Sequence, residues 1–121
     1  TALDNVRAAL EIAAMDDALD RAKEALQSVE LSDRLEHYPG QMSGGERQRV
    51  AVARALACDP ELVFADEPTG NLDSKTGAAV ADLLFKIASD RGATLAIVTH
   101  DEGLASRADR TVRMLDGQLY E

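Results

Sequence analysis

Residues 41–50 read Gln41-Met42-Ser43-Gly44-Gly45-Glu46-Arg47-Gln48-Arg49-Val50, a glycine-rich turn that opens into a helix predicted to run to about Cys58. Ser43 and Glu46 have the spacing of a capping box, in which each side chain accepts the backbone N–H of the other residue. The two glycines between them carry no side chains, so an anion can approach the amides at the positive end of the helix. The turn therefore predicts a capped helix, and its glycine pair favours anion binding there.

The composition indicates a globular domain rather than a nucleic-acid-binding protein. The chain has 121 residues, of which 45% are hydrophobic and 3% aromatic, and this predicts a core rich in alanine and leucine. Its formal net charge of -9 argues against a broad nucleic-acid surface, because phosphate binding needs clustered Lys and Arg. The single cysteine, Cys58, has no partner for an internal disulfide, which favours a reducing, cytosolic setting.

Nothing in the sequence predicts insertion into a membrane. No apolar run approaches the roughly 18 residues of a spanning helix, and no charged-then-apolar signal sequence opens the chain. The chain starts at Thr1, without an initiator Met and directly in a helical pattern. We therefore expect a soluble chain that is a fragment of a longer polypeptide.

The first 37 residues predict two amphipathic helices. Their apolar side chains recur at helical spacing in two stripes, Leu3, Val6 and Leu10 and then Leu19, Ala22, Leu26 and Val29. The pattern breaks at Tyr38-Pro39-Gly40, because Pro39 disfavours helical geometry at Tyr38. We predict a helical subdomain over residues 1–37 and a second unit over residues 38–121.

Two apolar runs on either side of a helix predict a βαβ unit. Residues 62–65 form a short uninterrupted apolar run, as expected for a strand buried on both faces. A helix capped by Ser74 and closed by Gly92 follows, and residues 94–99 form the second strand. This order implies parallel strands with a right-handed crossover, so the predicted fold class is α/β.

Three chemically capable side chains follow the two predicted strands. Asp66 and Glu67 come directly after the first strand and His100 after the second, so all three are expected at one edge of the sheet, where ligands bind in open α/β folds. Carboxylates there can hold Mg²⁺ and activate a water for attack on a phosphoryl group. The alternatives are a merely hydrated strand end and a structural histidine. His37 has no suitably spaced partner for a metal site.

The rest of the chain predicts a short helix and a hairpin but no phosphate loop. Residues 101–107 suggest the helix, and residues 111–121 suggest a hairpin around Asp116-Gly117. Residues 70–76 read Gly-Asn-Leu-Asp-Ser-Lys-Thr and end like a phosphate loop. They lack its second glycine, however, and place Lys75 one position early.

Four motifs, taken in chain order, together resemble the C-terminal part of the nucleotide-binding domain of an ATP-binding cassette (ABC) transporter. Residues 43–49 resemble the signature motif of that family, and residues 62–67 resemble its Walker B strand with the catalytic glutamate. Residues 71–73 resemble the D-loop, and His100 resembles the switch histidine. The run from Asp66 to Asp73 is similar to the branch that contains lipoprotein-release, macrolide-export and cell-division ATPases.

The resemblance implies a head-to-tail dimer of two nucleotide-binding domains with ATP at the interface. Ser43, Gly44 and Gly45 would contact the γ-phosphate of an ATP held by the partner's phosphate loop, and Asp73 would communicate across the dimer. A membrane permease subunit would bind the dimer, which would place it at the inner, cytoplasmic face of the membrane. No nucleic-acid partner is implied.

The resemblance also assigns catalytic roles, although part of the machinery is missing. Asp66 would organise Mg²⁺, Glu67 would polarise the attacking water, and His100 would sense the γ-phosphate. The phosphate loop, its strand and the glutamine loop are absent from the sequence, which leaves a partial parallel sheet with unpaired edges that invite oligomerisation. We therefore expect the parent protein to hydrolyse ATP and this chain alone to be inactive.

Two other functions are compatible with the same motifs. The chain resembles, less closely, the C-terminal lobe of a chromosome-maintenance or DNA-repair ATPase, which salt-dependent DNA binding would reveal. It would also serve as a non-enzymatic module that only contacts partner proteins or itself. Residues 66–73 and the acidic charge favour the transporter.

Overall fold

The computed structural model describes residues 1–121 and has an α/β architecture, as the sequence predicts. In chain order its elements are α1 (Ala2–Ile12), α2 (Ala18–Ser28), α3 (Gly44–Leu56), β1 (Leu62–Asp66), α4 (Ser74–Asp90), β2 (Thr94–Val98), α5 (Glu102–Ala105), β3 (Arg113–Leu115) and β4 (Gln118–Tyr120). Short 3₁₀ turns at Ser32–Arg34 and Pro39–Gln41 lead from α2 into α3. None of the helices has the length and apolar character needed to cross a bilayer.

The first three helices pack together around one apolar core. Val6 and Leu10 of α1 and Leu26 of α2 are fully buried, which confirms the two predicted amphipathic helices. Leu19 is 42% exposed and does not join the core as predicted, because it lies in the first turn of α2, at the end of that helix. The other three residues of the predicted stripe, Ala22, Leu26 and Val29, are buried, and Ala25 joins them.

Helix α3 connects the helical part of the chain to the βαβ unit. It packs against α1 and α2 as well as against α4, and the core formed in this way runs from Ala2 to Ile87. One continuous core spans both of the predicted units. The structure therefore does not mark a boundary at residue 38, and that division stays a prediction.

Two arginines and one aspartate hold the end of α3. Arg21 of α2 donates to the carbonyl oxygen of Ala57 at 3.2 Å and pairs with Asp59 at 2.7 Å. Arg91, just after α4, donates to the carbonyl oxygen of Leu56 at 3.0 Å and pairs with the other oxygen of Asp59. Cations at the negative end of a helix dipole are stabilising, so this cluster fixes α3 relative to α2 and α4.

Strands β1 and β2 are parallel, with Asp66 opposite Val98, which confirms the predicted βαβ unit. The prediction that β1 is buried on both faces is wrong. Val63 is 6% exposed but Phe64, on the opposite face, is 76% exposed. Helices cover only the face that carries Val63, and the two-stranded sheet leaves the Phe64 face open.

The cap of α4 and the C-terminal hairpin lie at or next to the positions that the sequence predicts. Helix α4 is capped by Asp73 rather than by Ser74, because the Asp73 side chain accepts the N–H of Thr76. Strands β3 and β4 form the predicted antiparallel hairpin, and both Asp116 and Gly117 have the positive φ of a tight hairpin turn. This hairpin forms a sheet of its own and does not join the parallel pair.

Candidate functional site

The capping box predicted at the start of α3 is present. Ser43 Oγ accepts the N–H of Glu46 at 3.1 Å, and Glu46 Oε2 accepts the N–H of Ser43 at 3.2 Å. Arg34 lies 3.6 Å from the other oxygen of Glu46. These contacts satisfy two of the free amides at the helix terminus and fix the direction in which α3 begins.

The glycine pair of this turn lies against the start of α4. A Cβ on Gly45 would meet the Cγ2 methyl of Thr76 at 2.4 Å, and a Cβ on Gly44 would meet Leu72 Cδ2 at 3.3 Å. Gly45 is also buried. Close packing of two helix N-termini is therefore one reason for glycine at position 45. The anion-binding interpretation of Gly44 and Gly45 is untouched by this contact and stays a prediction.

Glu67 has an unusual backbone conformation that directs its side chain to the end of β2. Its φ of 43° lies in the left-handed region, which is uncommon for a residue with a side chain. Its N–H donates to the carbonyl oxygen of Val98 at 2.8 Å, and its own carbonyl oxygen accepts the N–H of Gly70 at 3.1 Å. Backbone conformations of this kind are over-represented at functional sites.

Both oxygens of the Glu67 carboxylate have partners on the segment that follows β2. Oε1 accepts the N–H of His100 at 2.9 Å and lies 2.7 Å from Nδ1 of the His100 ring. Oε2 accepts the hydroxyl of Thr99 at 3.1 Å. The structure thus brings together Glu67 and His100, which are 33 residues apart in sequence. Thr99 was not among the residues predicted from the sequence.

These hydrogen bonds favour the ionised form of Glu67. The contact with the His100 ring, followed by those with the His100 N–H and the Thr99 hydroxyl, holds the pKa of Glu67 below its ordinary value of 4.5, although desolvation acts in the opposite direction. The side chain is therefore a carboxylate at neutral pH. It has the charge that a group needs to accept a proton from, or to orient, a water molecule.

Asp66 lies at the same sheet edge, but its environment differs from that of Glu67. It is exposed, and it is not part of any cluster of three or more His, Cys, Asp and Glu side chains able to hold a metal by themselves. Mg²⁺ keeps several of its waters and usually takes one or two carboxylates together with substrate phosphates. A single exposed carboxylate fits that requirement and does not fit an all-protein metal cage.

Glu67, His100 and Asp73 share one open cleft of about 430 Å³. The cleft lies between the start of α4 and the residues around α5, and Arg107 is also in its lining. Asp73 caps α4, and the hydrogen bonds from Thr76 hold the pKa of Asp73 below its ordinary value of 3.8. Four of the residues predicted for the site lie outside this cleft: Ser43, Gly44, Gly45 and Asp66.

Comparison with known proteins identifies relatives over the whole chain. The family model described as ABC transporter matches residues 1–70. The lipoprotein-releasing system ATP-binding protein LolD of Geobacter metallireducens is 54% identical over 121 residues, which are 98% of this chain and 54% of that protein. The uncharacterized ABC transporter ATP-binding protein YbbA of Escherichia coli K12 is 55% identical over 83% of this chain and 44% of its own length.

Solved structures agree with the sequence comparisons. The ATP-binding cassette MJ0796, solved as a dimer in a post-hydrolysis state bound to ADP and Pi, matches 100% of this chain with a TM-score of 0.81 and 42% identity. The match covers 56% of the MJ0796 chain. This chain thus spans about half the length of the curated relatives and solved structures that it matches.

Proposed function

The chain belongs to the ABC transporter family of ATP-binding proteins. From this membership we propose that it is the half of an ATP-hydrolysing transporter subunit that contains the catalytic glutamate and the signature motif. The observation that carries the proposal is the contact between Glu67 and His100 where β1 and β2 end. An ionised carboxylate at a sheet edge, hydrogen-bonded to a histidine from the neighbouring strand, is suited to orient a water for attack on a phosphate.

Glu67, His100 and Asp66 have separate roles in this proposal. Glu67 orients the attacking water and accepts its proton at a carboxylate oxygen. His100 holds that carboxylate, and its ring is 86% exposed, so it is free to contact a phosphate. Asp66 would help to hold Mg²⁺, which neutralises developing charge on phosphate oxygens when it is bound.

In this proposal the signature motif at residues 43–49 contacts a different ATP molecule from the one at Glu67. Ser43, Gly44 and Gly45 lie at the start of α3, apart from Asp66 and Glu67 where β1 ends, so we assign them to a site completed by a second nucleotide-binding domain. The dimeric state of MJ0796 supports the same arrangement. Asp73 caps α4 beside this turn, so it is well placed to couple the two nucleotide sites across the dimer.

A matched pair of variants tests the signature turn directly. The chain is mixed with the complete Geobacter relative in Mg-ATP, and association is followed by sedimentation. We expect ATP-dependent association that Gly44→Asp abolishes, because a carboxylate there repels phosphate. Gly40→Asp serves as the control, since nothing lies within 4 Å of a Cβ at position 40. Equal association of both variants would contradict this role.

The chain by itself should bind nucleotide poorly. Its sequence contains no G-x-x-x-x-G-K-[ST] motif, so the backbone cradle and lysine that hold the β- and γ-phosphates are not supplied by these residues. We propose that this chain alone binds Mg-ATP weakly or not at all and does not hydrolyse it. Calorimetric titration of the chain with Mg-ATP tests this, and micromolar affinity would overturn it.

The proposal extends to partners, location and subdomain limits. We propose that the complete protein binds a membrane permease subunit and works at the cytoplasmic face of the membrane, with residues 1–37 as part of the helical subdomain and 38–121 as part of the ATPase core. The relative in the lipoprotein-releasing system supports the transport role. No observation favours the chromosome-maintenance alternative or a purely non-enzymatic module.

A further inference from the structure

We propose that Thr99 is a positioning residue for Glu67: its hydroxyl holds one carboxylate oxygen in place, so that the other remains available at the cleft when the His100 ring moves away. The proposal deepens the proposed function and rests on it for its catalytic meaning. The contact itself is a property of the chain and is testable without any nucleotide.

The hydroxyl of Thr99 has a fixed orientation. Its Oγ1 accepts the N–H of Asp101 at 3.0 Å and donates to Glu67 Oε2 at 3.1 Å. A threonine hydroxyl has one hydrogen and two lone pairs. Because an ionised carboxylate can only accept, the hydroxyl donates its hydrogen to Glu67 and uses a lone pair for the N–H of Asp101. Thr99 is only half-buried, but its hydroxyl is engaged on both sides.

The two oxygens of Glu67 are held by different residues. Oε1 is held by the N–H and the ring of His100, and Oε2 by Thr99. The His100 ring is almost fully exposed, so water or a ligand can replace its contact at little cost. The hydrogen bonds from Thr99 and from the His100 backbone come from the two residues that directly follow β2 and do not depend on that ring.

In this proposal, Glu67 stays in place when the His100 ring leaves it for a phosphate. With the ring engaged elsewhere, Oε2 remains bound to Thr99, and Oε1 keeps one backbone donor and regains a free lone pair. A catalytic carboxylate must stay within a fraction of an ångström of its working position, since small misplacements reduce rates severely. Loss of Thr99 would therefore let the Glu67 side chain rotate rather than change its charge.

The test measures the side-chain conformation of Glu67 by NMR in the 121-residue chain without nucleotide, in a His100→Ala parent that lacks the ring and keeps the backbone donor. Three-bond couplings report its χ1 and χ2 rotamers, and relaxation of its Cγ methylene reports its order. Thr99→Val removes the hydroxyl at nearly constant shape, and Thr99→Ser keeps it. Thr94→Val is the matched control, because Thr94 begins β2, the strand that Thr99 directly follows, and its backbone N–H, rather than its side chain, donates to Glu61.

We expect the His100→Ala parent, alone or with Thr99→Ser or Thr94→Val, to show a single Glu67 rotamer, and the parent with Thr99→Val to show averaged couplings and a loss of order at Cγ. Unchanged couplings in Thr99→Val would overturn the proposal, as would an equal loss in Thr99→Ser. Amide spectra verify the fold of each variant, and Thr99→Ala replaces Thr99→Val if the latter does not fold. Because no ATP is present, failure here is distinct from failure of the proposed ATPase function.

Discussion

Gly45 lies directly against Thr76, and a Cβ on Gly45 would stand 2.4 Å from the Thr76 Cγ2 methyl. This contact joins the first turn of α3 to the first turn of α4, next to the cap residue Asp73. Real Cβ atoms do not approach a neighbour so closely, so a larger residue at 45 forces the Thr76 side chain or one of the two helices to move. The glycine is therefore required by the packing of this chain, whatever ligand its amides bind.

Gly45→Ala should lower the free energy of unfolding by about 1–3 kcal/mol, the usual cost of overpacking a close contact. Thr76→Ser in the same chain removes the offending methyl and keeps the hydroxyl, so it should restore most of the loss. Urea unfolding measures both variants, with Gly40→Ala as a control at an open position. A Gly45→Ala protein as stable as wild type would show that the contact is not rigid.

Ser43→Ala should destabilise the chain by about 1 kcal/mol, because the N–H of Glu46 loses its acceptor at the helix terminus. Ser43→Gly should cost only a few tenths of that amount, since glycine leaves the amide open to water. Chemical denaturation of the two variants in parallel gives the comparison. Equal losses of stability in Ser43→Ala and Ser43→Gly would contradict this explanation.

Asp73→Asn should change how stability depends on pH. The pKa of Asp73 is below its ordinary value of 3.8 in the folded chain, so its stabilising effect is complete above that value and disappears as the pH falls through the lower, folded pKa. Asparagine also caps helices well but does not titrate. The difference in Tm between the two proteins should be constant near neutrality and should move in favour of Asp73→Asn below about pH 4. A difference that is the same at every pH would refute the prediction.

The chain should self-associate through the open face of its parallel pair, and Phe64→Gln should weaken that association. Phe64 and Val98 lie on the open face of the parallel pair and are 76% and 63% exposed, and exposed apolar sheet faces favour association. Phe64 would be buried in the self-associated form, so its loss should raise the dissociation constant for self-association about tenfold or more. Sedimentation equilibrium measures it, with Tyr38→Gln as a control for an exposed aromatic away from the sheet. A chain that is monomeric at all concentrations would disprove this account of the open face.

Local sequence patterns predicted most of the fold. The capping box at Ser43, the βαβ order and the Asp116-Gly117 turn were all confirmed, because each depends on neighbouring residues or on a short period. Burial was predicted less well. The apolar run of β1 indicated a strand buried on both faces, but burial depends on what covers the sheet, and helices cover only one side of this one.

The candidate site was predicted only in part, for a related reason. The expectation that Glu67 and His100 lie at one edge of the sheet followed from parallel strand ends, and the structure confirmed it. The contact of Gly45 with Thr76 and that of Thr99 with Glu67 depend on tertiary geometry between segments 31 and 32 residues apart in sequence. The one sequence signal from which Thr99 could have been predicted is a hydroxyl residue directly before His100.

The most direct test of the central claim is ATP hydrolysis by a chimera in which this chain replaces the matching half of the Geobacter relative. The remaining half of that protein is expected to supply the phosphate loop, so the chimera should hydrolyse Mg-ATP. Glu67→Gln should reduce its kcat by about 100-fold or more, because the amide cannot accept a proton from the attacking water. A Glu67→Gln chimera that hydrolyses ATP as fast as the unsubstituted chimera would contradict the assignment of Glu67 and the function built on it.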